Sequence, residues 1–393
     1  MRKFITLLLV LIGVECHAQV ESEYERYVRE QKAAMEQMKN DQDSKIEEMN
    51  KQYEEYVKAE REAYSKFVKE MSAKWGEGNV AESTRKDWVE YSDNGNSRSI
   101  VDFENGEATV EVVTTPGKNV NKEELEKTVK ILILNKGKTK DYDSSVEKAE
   151  PLSEEPVLQG LVETPSGEVV DESNVDESVK EIVENAVVEV KTVKDPDGNE
   201  RQITSVSFEL IPDHIRVRAE KFADQVSKYC GQFSVEPSLA YAVIQTESSF
   251  NPKAKSYVPA YGLMQIVPAS AGADCAQSLK KNFSKPTANY LYDPDNNIEM
   301  GVHYLYLLRK RYFKDVNDEK KQELCVIASY NTGAGNLARA LRGDTNIKKA
   351  IPQINDMTYD ELFAYLKKNL LKETQNYIVN VTERANNFKK WMK

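Results

Sequence analysis

Residues 237–268 read PSLAYAVIQTESSFNPKAKSYVPAYGLMQIVP, and this stretch decides the fold of the C-terminal half. Leu239, Val243, Thr246 and Phe250 recur at helical spacing, which predicts a helix with that face buried. Pro237 suits a first helical position, and Asn251-Pro252 stops the run. Glu247 then falls in the last turn, near the negative end of the helix dipole. Partial burial and a negative potential both disfavour its carboxylate form. A carboxylic acid kept protonated near neutral pH can donate a proton to a leaving oxygen. A lone glutamate at a helix end is usually only a solvated charge; it gains meaning from the motifs that accompany it.

Three further pieces lie downstream in order: Gly262-Leu263-Met264-Gln265, Ser329-Tyr330-Asn331, and Glu373-Thr374-Gln375-Asn376-Tyr377. With Glu247-Ser248 they form an ordered set that resembles the soluble, goose-lysozyme-like lytic transglycosylases. The resemblance implies cleavage of the MurNAc-GlcNAc β-1,4 bond of peptidoglycan, with 1,6-anhydro-MurNAc ends. It also implies a single glutamate, Glu247, serving first as acid and then as base. Most glycoside hydrolases use two carboxylates, and no second acid falls within these motifs. In the family the attacking group is the muramic C6 hydroxyl, whose intramolecular position gives it a high effective concentration over water.

The resemblance makes Ser248, Gly262, Met264, Gln265, Tyr330, Asn331 and Tyr377 the substrate-binding residues. Each also has a plainer reading. Ser248 either points beside the acid or bonds the helix backbone. Gly262 permits a close backbone approach or simply makes a turn. Met264 and Gln265 would line a sugar groove, although a methionine alone is more often core. In the family Asn331 faces the sugar, and Tyr377 sits beside the acid; an aromatic at helical spacing is otherwise usually core. Ser329 stands where the family often has alanine.

Length allows two or three domains. The chain opens with Arg2-Lys3, an apolar run over 4–14, and then Cys16-His17-Ala18. This pattern predicts a signal peptide over 1–18, cleaved before Gln19, and so an exported, periplasmic protein. The apolar run is too short for a spanning anchor. Lipidation at Cys16, with outer-membrane attachment, is the disfavoured alternative, because Glu15 occupies a place that a lipobox gives to a small residue. Cys230, Cys275 and Cys325 would remain; free thiols, or one disulfide and one thiol, both stay open. With three histidines and no CxxC, no metal or cofactor is expected. Residues 213–393 carry 26 Lys+Arg against 19 Asp+Glu, a net of +7, which leaves −18 for residues 1–212 of the whole-chain −11. A basic C-terminal domain suits a polyanionic glycan. No nucleic-acid motif accompanies it.

Residues 19–76 read as one long amphipathic helix or coiled coil, with a stripe through Tyr24, Val28, Gln31, Met35, Met38, Gln42, Lys45, Met49 and Tyr53. Residues 21–75 could pack on their own protein or self-associate, and both readings stand. Residues 77–211 read as a small α+β accessory domain. Strands are predicted at 99–103 and 107–113 across Asn105-Gly106, and at 187–194 and 201–210. Helices are predicted at 122–134 and 177–186, with an acidic, loop-like or partly disordered stretch over about 140–176. The phrase WVEYSDNGNSRSIVDFENGEATVEVV resembles the N-terminal domain of the type C membrane-bound lytic murein transglycosylases. Residues 212–393 read as the catalytic domain, with helices at 215–230, 238–250, 269–279, 298–312, 319–328, 334–341, 359–371 and 373–390. The fold class is therefore α+β: a mainly helical, lysozyme-like C-terminal domain after a small α+β domain and a long helix. The competing functions are a goose-type lysozyme-like hydrolase, which needs a carboxylate to hold a water, and a non-catalytic wall-binding scaffold.

Overall fold

The computed structural model describes residues 23–118, 120–138, 148–256 and 260–392. The leader, the cleavage position before Gln19 and Cys16 lie outside the described residues. Met1–Gln52 and Tyr53–Lys393 are separate compact units. Helix α1 runs Glu23–Trp75. The side chains of its stripe from Tyr24 to Met49 also lie outside the described set.

Within the second unit, the end of α1 packs on its own chain. Met71 and Trp75 join Val113, Val193 and Ile203 in one small core. The Trp75 indole donates to Gly95 O at 2.9 Å, and the Arg98 guanidinium stacks 4.2 Å above the same ring. The helix stops there because Gly76 takes a left-handed φ of 88°, which a glycine adopts without steric cost.

The accessory sheet is antiparallel throughout, in the order β1-β2-β3-β5-β4: β1 Asp87–Tyr91, β2 Ser97–Asp102, β3 Glu107–Thr114, β4 Val187–Lys194 and β5 Glu200–Glu209. Strand β1 does not stand out in the sequence. It is five residues long and leaves Trp88 and Val89 buried, too short a run for alternation to be visible. Helices α2 (Lys122–Ile133) and α3 (Val175–Asn185) cover the sheet and share a core with Trp88, Phe103 and Val110. Residues 148–174 are irregular, yet Leu158, Leu161, Val162 and Val170 are buried in that same core. The acidic side chains mask a packed segment: their charge stays outward while the interspersed apolar residues turn in.

The helical domain comes next: α4 His214–Glu220, α5 Ala223–Phe233, α6 Pro237–Ser248, α7 Ala273–Ser278, α8 Ala288–Tyr292, α9 Pro294–Leu307, α10 Glu319–Thr332, α11 Ala334–Arg342, α12 Ile347–Asp356, α13 Tyr359–Asn369 and α14 Lys372–Trp391. The single helix expected over 215–230 is two helices, broken at Lys221-Phe222. Helix α12 is not among the expected helices because Pro352 lies inside it, and a proline normally signals a helix end. Helix α6 is the centre of the domain. Leu239, Ala240, Tyr241, Ala242, Val243 and Ile244 are all buried, so the helix is enclosed on every side rather than on one face. The fold is α+β and mostly helical.

Candidate active site

Glu247 occupies the last turn of α6 and is 5% exposed. The chain leaves the helix through Ser249 and Phe250, both with left-handed φ, 49° and 61°. For a bulky side chain that conformation is strained, and it turns the polypeptide sharply away just past the acid. Burial pushes the Glu247 carboxyl up to about 7, against the smaller downward pull of Tyr377, Arg85 and Lys86. The buried Tyr377 hydroxyl, on α14, approaches the carboxyl but completes no hydrogen bond to protein among the described residues. This donor hydroxyl, facing the carboxyl, is the largest of the downward pulls on it.

The other motif residues mostly build the walls that hold this carboxyl. Ser248 is fully buried, and its hydroxyl donates to Ile244 O at 3.0 Å and Leu263 O at 2.8 Å. It thus bonds backbone and ties α6 to the following turn. Gly262 has φ 74°, and an added Cβ would lie 2.2 Å from Leu291 O and 2.3 Å from Asn297 Nδ2. Only glycine fits there. Met264 is completely buried. Its side chain fills the space above Gly301, where a Cβ would meet its sulfur at 2.2 Å, so it belongs to the core and not to an open groove wall. Gln265, also at positive φ, donates from Nε2 to Ala254 O and Gly262 O at 2.9 and 3.0 Å. Tyr330 donates to Met264 O at 2.8 Å. The Asn331 amide oxygen accepts from Thr374 at 2.7 Å, and the residue is only partly buried.

Several residues outside the four motifs hold the site. Asn297 on α9 is fully buried. Its Oδ1 accepts from Met264 N–H at 2.7 Å, while its Nδ2 donates to Tyr261 O and Leu291 O. It pins the whole 261–264 turn. Arg384 on α14 donates to Thr246 Oγ1 at 3.1 Å. Arg85 and Lys86, just ahead of β1, reach the end of α6 from the accessory domain. Arg85 Nη1 lies 3.7 Å from Glu247 Oε2 and 3.9 Å from Glu373 Oε1. Lys86 Nζ donates to Gln245 O, Thr246 O and Ser249 Oγ at 3.1, 3.1 and 2.9 Å. Asn251 Nδ2 donates to Asp87 O at 3.1 Å, which fastens the same seam. Cys230, Cys275 and Cys325 are buried free thiols. Among the described residues no His/Cys/Asp/Glu group could hold a metal, and no helix is long and apolar enough to cross a membrane.

A helical domain with an enclosed carboxyl at a helix end is thus joined to a small antiparallel sheet domain. Residues 224–352 match the family described as "Transglycosylase SLT domain". Residues 38–221 match "Membrane-bound lytic murein transglycosylase C, N-terminal domain". The chain is 31% identical over 318 residues to the membrane-bound lytic murein transglycosylase C of Actinobacillus succinogenes, covering 80% of this chain and 85% of that one. It is 33% identical over 319 residues to that of Yersinia pestis strain Pestoides F, covering 81% and 86%. The 70 kDa soluble lytic transglycosylase of Escherichia coli aligns with a TM-score of 0.35 and 24% identity, over 44% of this chain and 24% of its own. The chain belongs to the membrane-bound lytic murein transglycosylase C family.

Proposed function

We propose that this chain is an exported lytic transglycosylase that cleaves the MurNAc-GlcNAc β-1,4 bond of peptidoglycan and leaves 1,6-anhydro-MurNAc ends. The observation that carries this reading is Glu247: one enclosed carboxyl with its pKa raised to about 7, within the SLT-type domain of a chain in this family. A carboxyl poised near neutral pH serves equally as acid and as base. In the first half, Glu247 gives its proton to the glycosidic oxygen as the bond to muramic C1 breaks, and GlcNAc departs with a free 4-hydroxyl. In the second, the Glu247 carboxylate takes the proton of the muramic C6 hydroxyl as that oxygen bonds C1. No water is consumed, and the enzyme ends protonated as it began. Asn331 and Tyr377 are the groups best placed to meet substrate and acid respectively. Ser248, Gly262, Met264 and Gln265 act by holding the shape.

One observation keeps a hydrolytic reading in view. Arg85 brings the carboxylate of Glu373 to the same site, and a second carboxylate is what an inverting hydrolysis needs to activate water. Mass spectrometry of the products from purified peptidoglycan separates the two, because a hydrolysed end is heavier than an anhydro end by one water. Anhydro ends are expected. In Glu247→Gln, which keeps shape and cannot transfer a proton, cleavage should fall at least about a hundredfold. Residual activity above a tenth of wild type would remove Glu247 from the acid/base role.

A further inference from the structure

The acid helix does not supply its own positive charge. Along 237–268 the only cationic residues are Lys253 and Lys255, past the end of α6. Lys253 is fully buried, with its ammonium 3.9 Å from Glu90 on β1. The cations that reach Glu247 are Arg85 and Lys86, contributed from about 160 residues earlier in the chain. Their placement is specific. Lys86 donates to two of the last carbonyls of α6, and so offsets the negative end of the helix dipole at the turn that carries the acid. Arg85 lies between Glu247 and Glu373.

We infer that Arg85 and Lys86 are positioning residues that stabilise the ionised form of Glu247, the form that must take a proton back in the second half of the reaction. This rests on the acid/base reading of Glu247 given above. One carboxyl that performs both halves needs neither form strongly favoured. The enclosing core of the helical domain favours the acid, and the two cations of the accessory domain favour the carboxylate. The accessory sheet is thus part of the active site electrostatically, through the segment that leads into β1.

The charged and titratable groups around the carboxyl come from four elements. Arg85 and Lys86 precede β1, and Glu104, in the β2–β3 turn, lies 3.7 Å from Lys86. Glu373, Tyr377 and Arg384 lie on α14, and Tyr330 lies on α10. Burial lowers Lys86 to about 8, so it is mostly charged at neutral pH. Glu373 opposes the cations, raising Glu247 slightly.

The test is the pH dependence of kcat/KM on a soluble glycan fragment, with the full chain. Activity requires the protonated acid and falls as pH rises through the Glu247 pKa. Arg85→Gln removes a cation, which raises that pKa, and the alkaline limb should move up by at least about half a unit. Arg85→Lys should largely restore it. Glu373→Gln, at an exposed side chain, should move the limb the opposite way. A purely structural role would lower the rate at every pH without moving the limb. The same shifts should appear in the carboxyl carbon-13 titration of Glu247, assigned by its loss in Glu247→Gln, which reads the proton without any turnover. If the Glu247 titration is the same in wild type, Arg85→Gln and Glu373→Gln, the inference fails. If the titration moves while Glu247→Gln remains active, the inference stands and the acid/base reading fails instead.

Discussion

Two regions meet at Glu247, and they differ in how they serve it. The motif residues of the helical domain are almost all turned into structure. Ser248 ties two segments, Gly262 permits a backbone approach that no other residue could make, and Met264 is buried against Gly301. The segment ahead of β1 carries no motif, yet it delivers the charges. Shape therefore comes from the helical domain, and the cations that act on the acid come from the accessory domain. A sequence pattern readily encodes shape, because close packing demands one residue type at one place. An exposed stem with a cation at its tip can arrive from many positions, so it leaves little trace.

The most severe way to break this comparison is Gly262→Ala. If Gly262 serves packing, the added methyl meets Leu291 O and Asn297 inside van der Waals contact at an unfavourable φ. The backbone must shift, and the Asn297 bonds that pin the turn go with it. We expect a loss of about 3 kcal/mol or more, together with activity. Unchanged unfolding with activity lost would show instead that Gly262 acts only toward ligand.

The pH dependence of stability gives a smaller effect with a definite sign. The Glu247 carboxyl ordinarily titrates at 4.5, and burial raises it to about 7. Between those values the folded chain holds a proton that the unfolded chain has released. Stability therefore falls as pH rises through this window. Glu247→Gln removes the penalty, and so should be more stable than wild type by up to about 3 kcal/mol at pH 8 and by almost nothing at pH 4. Denaturant unfolding at the two pH values measures it. An equal gain at both would mean that the two cations already cancel the cost of burial.

The parts legible in sequence share one physical property: they are local. Helix α6 shows through Pro237 and its apolar run, the β2–β3 and β4–β5 pairs through their turns, and the acid through its place in the last helical turn. What the sequence hides is non-local or disguised. Arg85 and Lys86 sit in an ordinary polar run, Ser-Thr-Arg-Lys-Asp, and only the docking of β1 beside α6 gives them meaning. Asn297 is one of several polar residues in 293–297, and nothing marks it as the buried one. The packed acidic stretch reads as loop because its charges outnumber its core contacts.

The smallest predicted effect concerns Ser329, where the family resemblance often places alanine. Ser329 is fully buried on α10, and its hydroxyl has no hydrogen-bond partner among the described residues. A buried hydroxyl without a partner carries an uncompensated desolvation cost, and alanine differs from serine only by that oxygen. Ser329→Ala should therefore raise stability by about 1 kcal/mol or slightly less, with the small vacated volume subtracting part of the gain. Its neighbour Tyr330 bonds Met264 O, so activity should stay within about twofold if Ser329 belongs to the shape-giving region alone. A destabilised Ser329→Ala would mean that the hydroxyl has found a partner, most simply a buried water. Lost activity at unchanged stability would move Ser329 out of the scaffold and into the group that meets the sugar, and the division between shape and charge would then fail on α10.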